Sequence, residues 1–220
     1  MATNKQTTKE IEVEKKSGLE EFIKKYGKIL TTVFIAILVI TAAALAVSNW
    51  YVKPLKEEAK GQTFTAEQYF RAGNYESALN GDGNALGFAE IIKEYGTKGG
   101  KAVYFYAGIC ELQLKNYQGA LDYLKKYKGG DKILSARAQA CIGDAYVGLG
   151  NIEAGLSQYE KAASMADNAY AAQYLLKAGI AAEELGQKDK AVSLYKKIEV
   201  EYPQSVEAYD IQKYIFRAQN

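Results

Sequence analysis

Residues 78–90, "ALNGDGNALGFAE", gather oxygen donors and glycines as a calcium loop does: Asp82 between Gly81 and Gly83, then Asn84, Gly87 and Glu90. A helix–loop–helix calcium site needs a glycine at its sixth position and carboxylates at its first and twelfth. With Gly83 as the sixth, those two places fall on Ala78 and Ala89. Calcium chemistry therefore fails on spacing. What remains is a helix that starts at about Tyr75, breaks at Gly81–Gly83 and resumes with Asn84 as the expected N-cap. Phe88, Ile91, Ile92 and Tyr95 then share one helical face, and Gly96 ends it. Such a break either redirects the helix or offers a surface loop to a partner.

Other reactive groups are sparse. The chain has no His, which removes the commonest general base, metal ligand and pH switch. Its two cysteines, Cys110 and Cys141, lack CxxC spacing and are expected to be free and buried. No GxSxG, Walker or dinucleotide-binding pattern occurs, and the Glu183–Glu184 pair fits an ordinary solvated helix surface. The expectation is a protein without catalytic, cofactor-binding or metal-binding residues and without a small-molecule substrate. Charge points the same way. Residues 1–28 hold seven Lys and five Glu, and residues 53–220 hold 21 charges of each sign. A balanced domain of this kind lacks the basic field of a nucleic-acid binder.

The elements around these residues begin with "ILTTVFIAILVITAAALAVSNWYV", residues 29–52, a run without a charge. As a helix it spans about 36 Å, enough for a hydrocarbon core of about 30 Å. Lys24, Lys25 and Lys28 flank its start, and Trp50 and Tyr51 stand at its far end. Five lysines lie within 16 residues before it and three after, which places the N-terminus in the cytoplasm. "ALA" at 44–46 could serve a signal peptidase, but the long leader and long apolar run favour an uncleaved anchor. Residues 1–28 are expected to form a cytoplasmic tail, disordered over 1–16. Ser17 and Glu20 form a capping box, and Leu19, Phe22, Ile23 and Tyr26 mark one face of a short amphipathic helix.

Residues 53–220 repeat. "KNYQGALDYLKKY" (115–127), "GNIEAGLSQYEKA" (150–162) and "GQKDKAVSLYKKI" (186–198) share a turn, a small residue and a large residue at matching places. "FRAGNYESAL" (70–79) matches the same turn, with "NGDGNALG" as an excess. Gly108, Gly143 and Gly179 each precede the turn by seven residues, inside first helices, where glycine costs about 1 kcal/mol against alanine. Close helix approach is the expected return. Ala120, Gly155 and Ala191 are the matching small residues of the second helices, and Leu124, Tyr159 and Tyr195 are expected to fill space toward the next repeat. Ser205 starts a closing helix with a stripe of Val206, Tyr209, Ile211 and Tyr214.

This pattern resembles the tetratricopeptide repeat, a helix–turn–helix unit of about 34 residues. The resemblance implies an all-α fold: one transmembrane helix, then a short solenoid of about four repeats plus a C-terminal capping helix. It also implies a concave groove for protein partners, lined by first helices. In this register repeat two offers Ala102, Phe105, Ile109, Leu112 and Gln113. Repeat three offers Arg137, Ala140, Asp144 and Val147, and repeat four Gln173, Leu176 and Ile180. Phe105 and Ile109 occupy places where chaperone-tail-binding relatives carry Lys and Asn, so docking of chaperone C-termini is not expected.

The layout of charged tail, single span and small repeat domain also resembles the membrane-anchored repeat family that serves as an ancillary subunit of the bacterial Sec translocon. That resemblance implies an adaptor or chaperone for secreted clients, with its repeats in the periplasm. Two alternatives stay open: a structural subunit that buttresses a membrane assembly, and an organelle import receptor with cytosolic repeats.

Overall fold

The computed structural model describes residues 3–165 and 170–220, with side chains described from residue 22 onward. Every regular element among them is helical. Internal contacts divide the chain into two units, Met1–Pro54 and Leu55–Asn220.

The first unit is dominated by α1 (Thr3–Val47), followed by a π-helical turn, Ser48–Val52, in which the Lys53 amide donates to the Ser48 carbonyl. The stretch expected to be disordered is already helical from Thr3, because its Lys- and Glu-rich run contains no helix breaker before Gly18. Ser17 therefore lies inside a helix and starts nothing; its side chain, with those of Leu19 and Glu20, lies outside the described residues. Phe22 and Tyr26 stack one turn apart, with ring centres 5.1 Å apart.

The apolar run reaches a mean hydropathy of 2.6 and none of it is buried. Its hydroxyls turn inward on their own helix: Thr31 donates to Gly27 O at 2.9 Å and Thr32 to Lys28 O at 2.7 Å. Back-bonding of this kind leaves few polar groups facing outward. By length and composition the helix suits a membrane crossing, a test that a signal sequence also passes.

The second unit stacks helix pairs. α2 (Lys53–Arg71) shares a core with α3 (Tyr75–Asn80) and α4 (Phe88–Tyr95) through Ala59, Ala66, Ala78, Leu79, Phe88 and Ile91. Next come α5 (Ala102–Gln113) with α6 (Tyr117–Leu124), α7 (Lys132–Gly148) with α8 (Ile152–Met165), and α9 (Tyr170–Glu184) with α10 (Lys188–Glu201). A short α11 (Val206–Tyr209) and α12 (Ile211–Gln219) close the stack against α9 and α10.

The pair geometry follows from the turns and the glycines. Asn74, Asn116 and Asn151 cap their second helices, their side chains accepting from the amides of Ser77, Gly119 and Ala154 at 3.1–3.3 Å. A β-carbon on Gly108 would lie 2.5 Å from Leu124 Cγ, and one on Gly143 would lie 2.6 Å from the Tyr159 ring. Gly179 meets Tyr195 in the same way. Leu124, Tyr159 and Tyr195 are thus seated on the glycine of their own repeat, and the two tyrosines also face the next element as expected, Tyr159 beneath Lys177 of α9 and Tyr195 beside Tyr214 of α12.

Two of these tyrosines also tie repeats together. Tyr159 donates to Asp144 Oδ1 at 2.7 Å, and Lys177 from α9 grips the same carboxylate at 2.7 and 2.9 Å. Tyr195 donates to Glu183 at 2.6 Å, and Arg217 from α12 forks onto that carboxylate, its Nε donating at 3.0 Å. Burial, then the neighbouring carboxylate, pushes both phenols well above their usual range.

The 78–90 break has its own logic. Tyr69 donates to Asp82 Oδ2 at 2.6 Å, and the amides of Asn84 and Ala85 donate to Oδ1 at 2.9 and 2.8 Å. These bonds, the tyrosine's first, pull the Asp82 carboxyl down to about 2. Asp82 is a staple for its own loop. Asn84 is not the cap, because α4 starts only at Phe88, with Gly87 at the cap position and no side-chain cap. The closing stripe also shifts. The chain kinks at Asp210, so Ile211, Ile215 and Ala218 are buried, whereas Val206 and Tyr209 are 88% and 92% exposed.

Candidate protein-binding cleft

First helices α5, α7 and α9 enclose a cleft of about 690 Å³. Each contributes through a helical stripe: Ile109, Leu112 and Gln113 from α5; Arg137, Cys141, Asp144 and Val147 from α7; Tyr170, Gln173 and Tyr174 from α9. Ile133, Leu134, Tyr117 and Gly148 complete the walls. The glycine-seated pairing of each repeat holds α5, α7 and α9 on one side, so their spare faces converge.

Seven of the twelve residues expected at a groove line this cleft: Ile109, Leu112, Gln113, Arg137, Asp144, Val147 and Gln173. Phe105 does not. It is 2% exposed, packed against Tyr106 and Tyr127 at 5.7 and 5.8 Å between ring centres, with the Arg137 guanidinium 5.9 Å above its ring. The reason is the early end of α6 at Leu124, which lets Tyr127 fold back over Phe105. Leu176 is half-buried against the core of the last two repeats. Ile180 is exposed and borders a separate hollow of about 110 Å³, which shares Val147 and otherwise faces Tyr159, Lys177, Ala181 and Glu184.

The side chains divide by role. Asp144 faces the cleft but is committed to Tyr159 and Lys177, so it joins repeats rather than offering itself to a ligand. Gln113, Arg137 and Gln173 are exposed and carry the groups able to orient a bound chain. Ile109, Leu112, Val147 and Tyr174 supply apolar wall. Each apolar side chain of a partner fully desolvated there contributes about 1.5–3 kcal/mol. Both cysteines are free. Cys110 is buried, while Cys141 is half-buried on the cleft wall, where burial first and Asp144's charge second push its thiol up to about 11.

Cys141 and Ile133 lie one turn either side of Arg137, so extending that stripe by four residues each way finds them. Tyr170 lies three residues before Gln173 and is found in the same way, whereas Tyr174 lies off the expected stripe. α9 presents Tyr170, Gln173 and Tyr174 to the cleft, not the expected Gln173, Leu176 and Ile180 stripe.

Comparison with known proteins agrees with this architecture. The tetratricopeptide repeat family model matches residues 142–206, which cover α8, α9 and α10 and the end of α7. The crystal structure of MamA, a tetratricopeptide-repeat protein, superposes with a TM-score of 0.58 at 18% identity, covering 74% of this chain and 84% of that one. At that identity the likeness is one of fold. A search of curated proteins found no match. The class is therefore an all-α solenoid of tetratricopeptide type with one long apolar N-terminal helix.

Proposed function

We propose that this chain is a membrane-anchored adaptor or chaperone, not an enzyme, whose cleft takes a segment of a protein partner at a secretion-type or envelope complex. The observation that carries it is the cleft itself, where apolar walls surround the exposed heads of Gln113, Arg137 and Gln173. Such a mixture suits an extended peptide or a helix face. The absence of His from the sequence and the balanced charge support binding over catalysis. The uncharged 29–52 run supports an anchor, with the N-terminus cytoplasmic from the lysine count and the repeats periplasmic in a bacterial inner membrane. The likeness of layout to the Sec ancillary family supports a secretory setting.

A second reading, a structural subunit within a stable assembly, is favoured by one observation. Val206, Tyr209 and Phe216 on the closing helices are 88%, 92% and 70% exposed, which suits a permanent neighbour.

Photo-crosslinkers at Gln113 and Gln173, with one at Lys213 on the closing helix as control, test both in native membranes. Crosslinks to emerging secreted chains from the first two positions support the adaptor. One stoichiometric partner crosslinked from Lys213 alone favours the structural subunit. No crosslink from Gln113 or Gln173 overturns the cleft.

A further inference from the structure

α7 has a second face, opposite the cleft described above. There, with α6 and α8, it forms a hollow of about 460 Å³ rimmed by Lys125, Lys128 and Lys161. No Asp or Glu lines it. None of the three lysines is ion-paired among the described residues; Lys125 rests 5.1 Å above the Tyr146 ring. The floor is apolar, with Leu124, Ala138 and Ile142 buried. Gln139 and Gln158 meet across it, side chain to side chain. In a domain with 21 charges of each sign, three lysines around one hollow, without an ion pair among the described residues, concentrate positive charge there.

We propose that this hollow is a second protein-binding site, selective for an extended acidic segment that carries apolar side chains. Charge complementarity names the occupant: carboxylates meet the lysine rim while an apolar side chain seats against Tyr146 and Met165, the accessible apolar walls above the buried floor. The paired glutamine amides can donate to and accept from the backbone of such a segment. A lipid headgroup fits less well, because the floor residues Leu124, Ala138 and Ile142 are buried rather than projecting toward an acyl layer. The site is independent of the α5–α7–α9 cleft, since the two use opposite faces of α7.

The test uses the full chain in nanodiscs and a fluorescein-labelled peptide of alternating glutamate and leucine, with a lysine–leucine peptide of equal length as control. The acidic peptide should bind about tenfold or more tighter than the control, and weaken as salt rises from about 0.05 to 0.5 M. The triple variant Lys125→Gln, Lys128→Gln, Lys161→Gln, with wild-type helicity, should lose about tenfold or more of that affinity, while Arg137→Glu leaves it unchanged. Full binding by the folded triple variant overturns the proposal. Loss of binding in Arg137→Glu also overturns it, placing the peptide in the other cleft. Protection of the three lysines from acetylation by phosphatidylglycerol in the nanodisc, but not by the peptide, overturns it in favour of a membrane surface.

Discussion

Repeat one and repeat three begin with the same turn and part company eight residues later. Counting from the cap residue, the eighth position holds Leu124, Tyr159 and Tyr195 in repeats two to four, each seated on a glycine eight residues before the cap. In repeat one the same positions hold Asp82 and Ala66. There the second helix stops at Asn80, Asp82 closes a loop with Tyr69, and Phe88 on a fresh helix supplies the bulk, stacked 5.5 Å from Tyr106. The glycine and the large side chain are therefore one device. Where the glycine is missing, the large residue at the eighth place is missing too, and the chain fills the core by another route.

The largest expected effect breaks that device directly. Gly143→Leu should place side-chain atoms into the Tyr159 ring, already 2.6 Å from where a β-carbon would sit, and near the Gly155 carbonyl at 3.2 Å. Overpacking at a helix contact costs about 3 kcal/mol, here at or beyond the usual upper end, and should lower the melting temperature by about 6–12 °C. An unchanged melting curve would show that Tyr159 and Gly143 are not coupled.

Next in size is the carboxylate tie of repeat four. Arg217's hydrogen bonds first, and Tyr195's hydroxyl next, hold the Glu183 carboxyl below its ordinary value of 4.5 despite partial burial. A depressed folded pKa means the tie is fully present above about pH 4.5 and fades as pH falls through the lowered value. Glu183→Gln should cost about 1.5–3 kcal/mol at pH 7 and flatten the acid limb of the stability curve. Stability measured from pH 7 to pH 2 checks both; a variant with the wild-type acid limb would remove Glu183 from the account.

The repeat-one loop gives a smaller, local effect. Asp82→Ala removes acceptors for Tyr69 and for the Asn84 and Ala85 amides. Hydrogen exchange at those two amides should accelerate by about tenfold or more while α7–α10 stay protected. Unchanged exchange would mean that the glycines alone hold the loop.

These contrasts explain what was legible in the sequence. The turn, the cap asparagines and the interior glycines were readable because backbone geometry demands specific residue types at fixed offsets. Seven of the expected cleft residues were readable for the same reason, since a register once set carries a helical stripe with it. Depth was not. Phe105 has the right phase for a groove wall, but Tyr127, folding back after the early end of α6, buries it together with Tyr106 and Arg137. The Asn84 cap failed because Asp82, by accepting from the Asn84 and Ala85 amides, keeps that stretch in the loop, and the helix begins only at Phe88. The closing stripe failed because a helix was assumed to run straight through Asp210, where the chain instead kinks and turns Val206 and Tyr209 outward.

The smallest effect is a gain, and it compares the four turns. The residue before each cap position adopts a left-handed conformation: Gly73 at φ 76°, Gly150 at 79°, Gly186 at 72°, and Lys115 at 61°. Lys115 is the only described non-glycine residue with positive φ. A side chain there costs about 1–2 kcal/mol through the clash of its β-carbon with the backbone. Lys115 is exposed and its amide bonds only to Leu112 O, which glycine preserves. Glycine also brings extra entropy to the unfolded chain, worth about 0.5–1 kcal/mol against the gain. The net for Lys115→Gly should be a stabilisation of up to about 1 kcal/mol, a rise of about 2–4 °C in melting temperature. The reverse change, Gly150→Lys, imposes the same strain on a turn that now lacks it and should lower the melting temperature by a comparable amount. If both substitutions lower it, Lys115 holds its turn through its side chain, and the four turns are not equivalent.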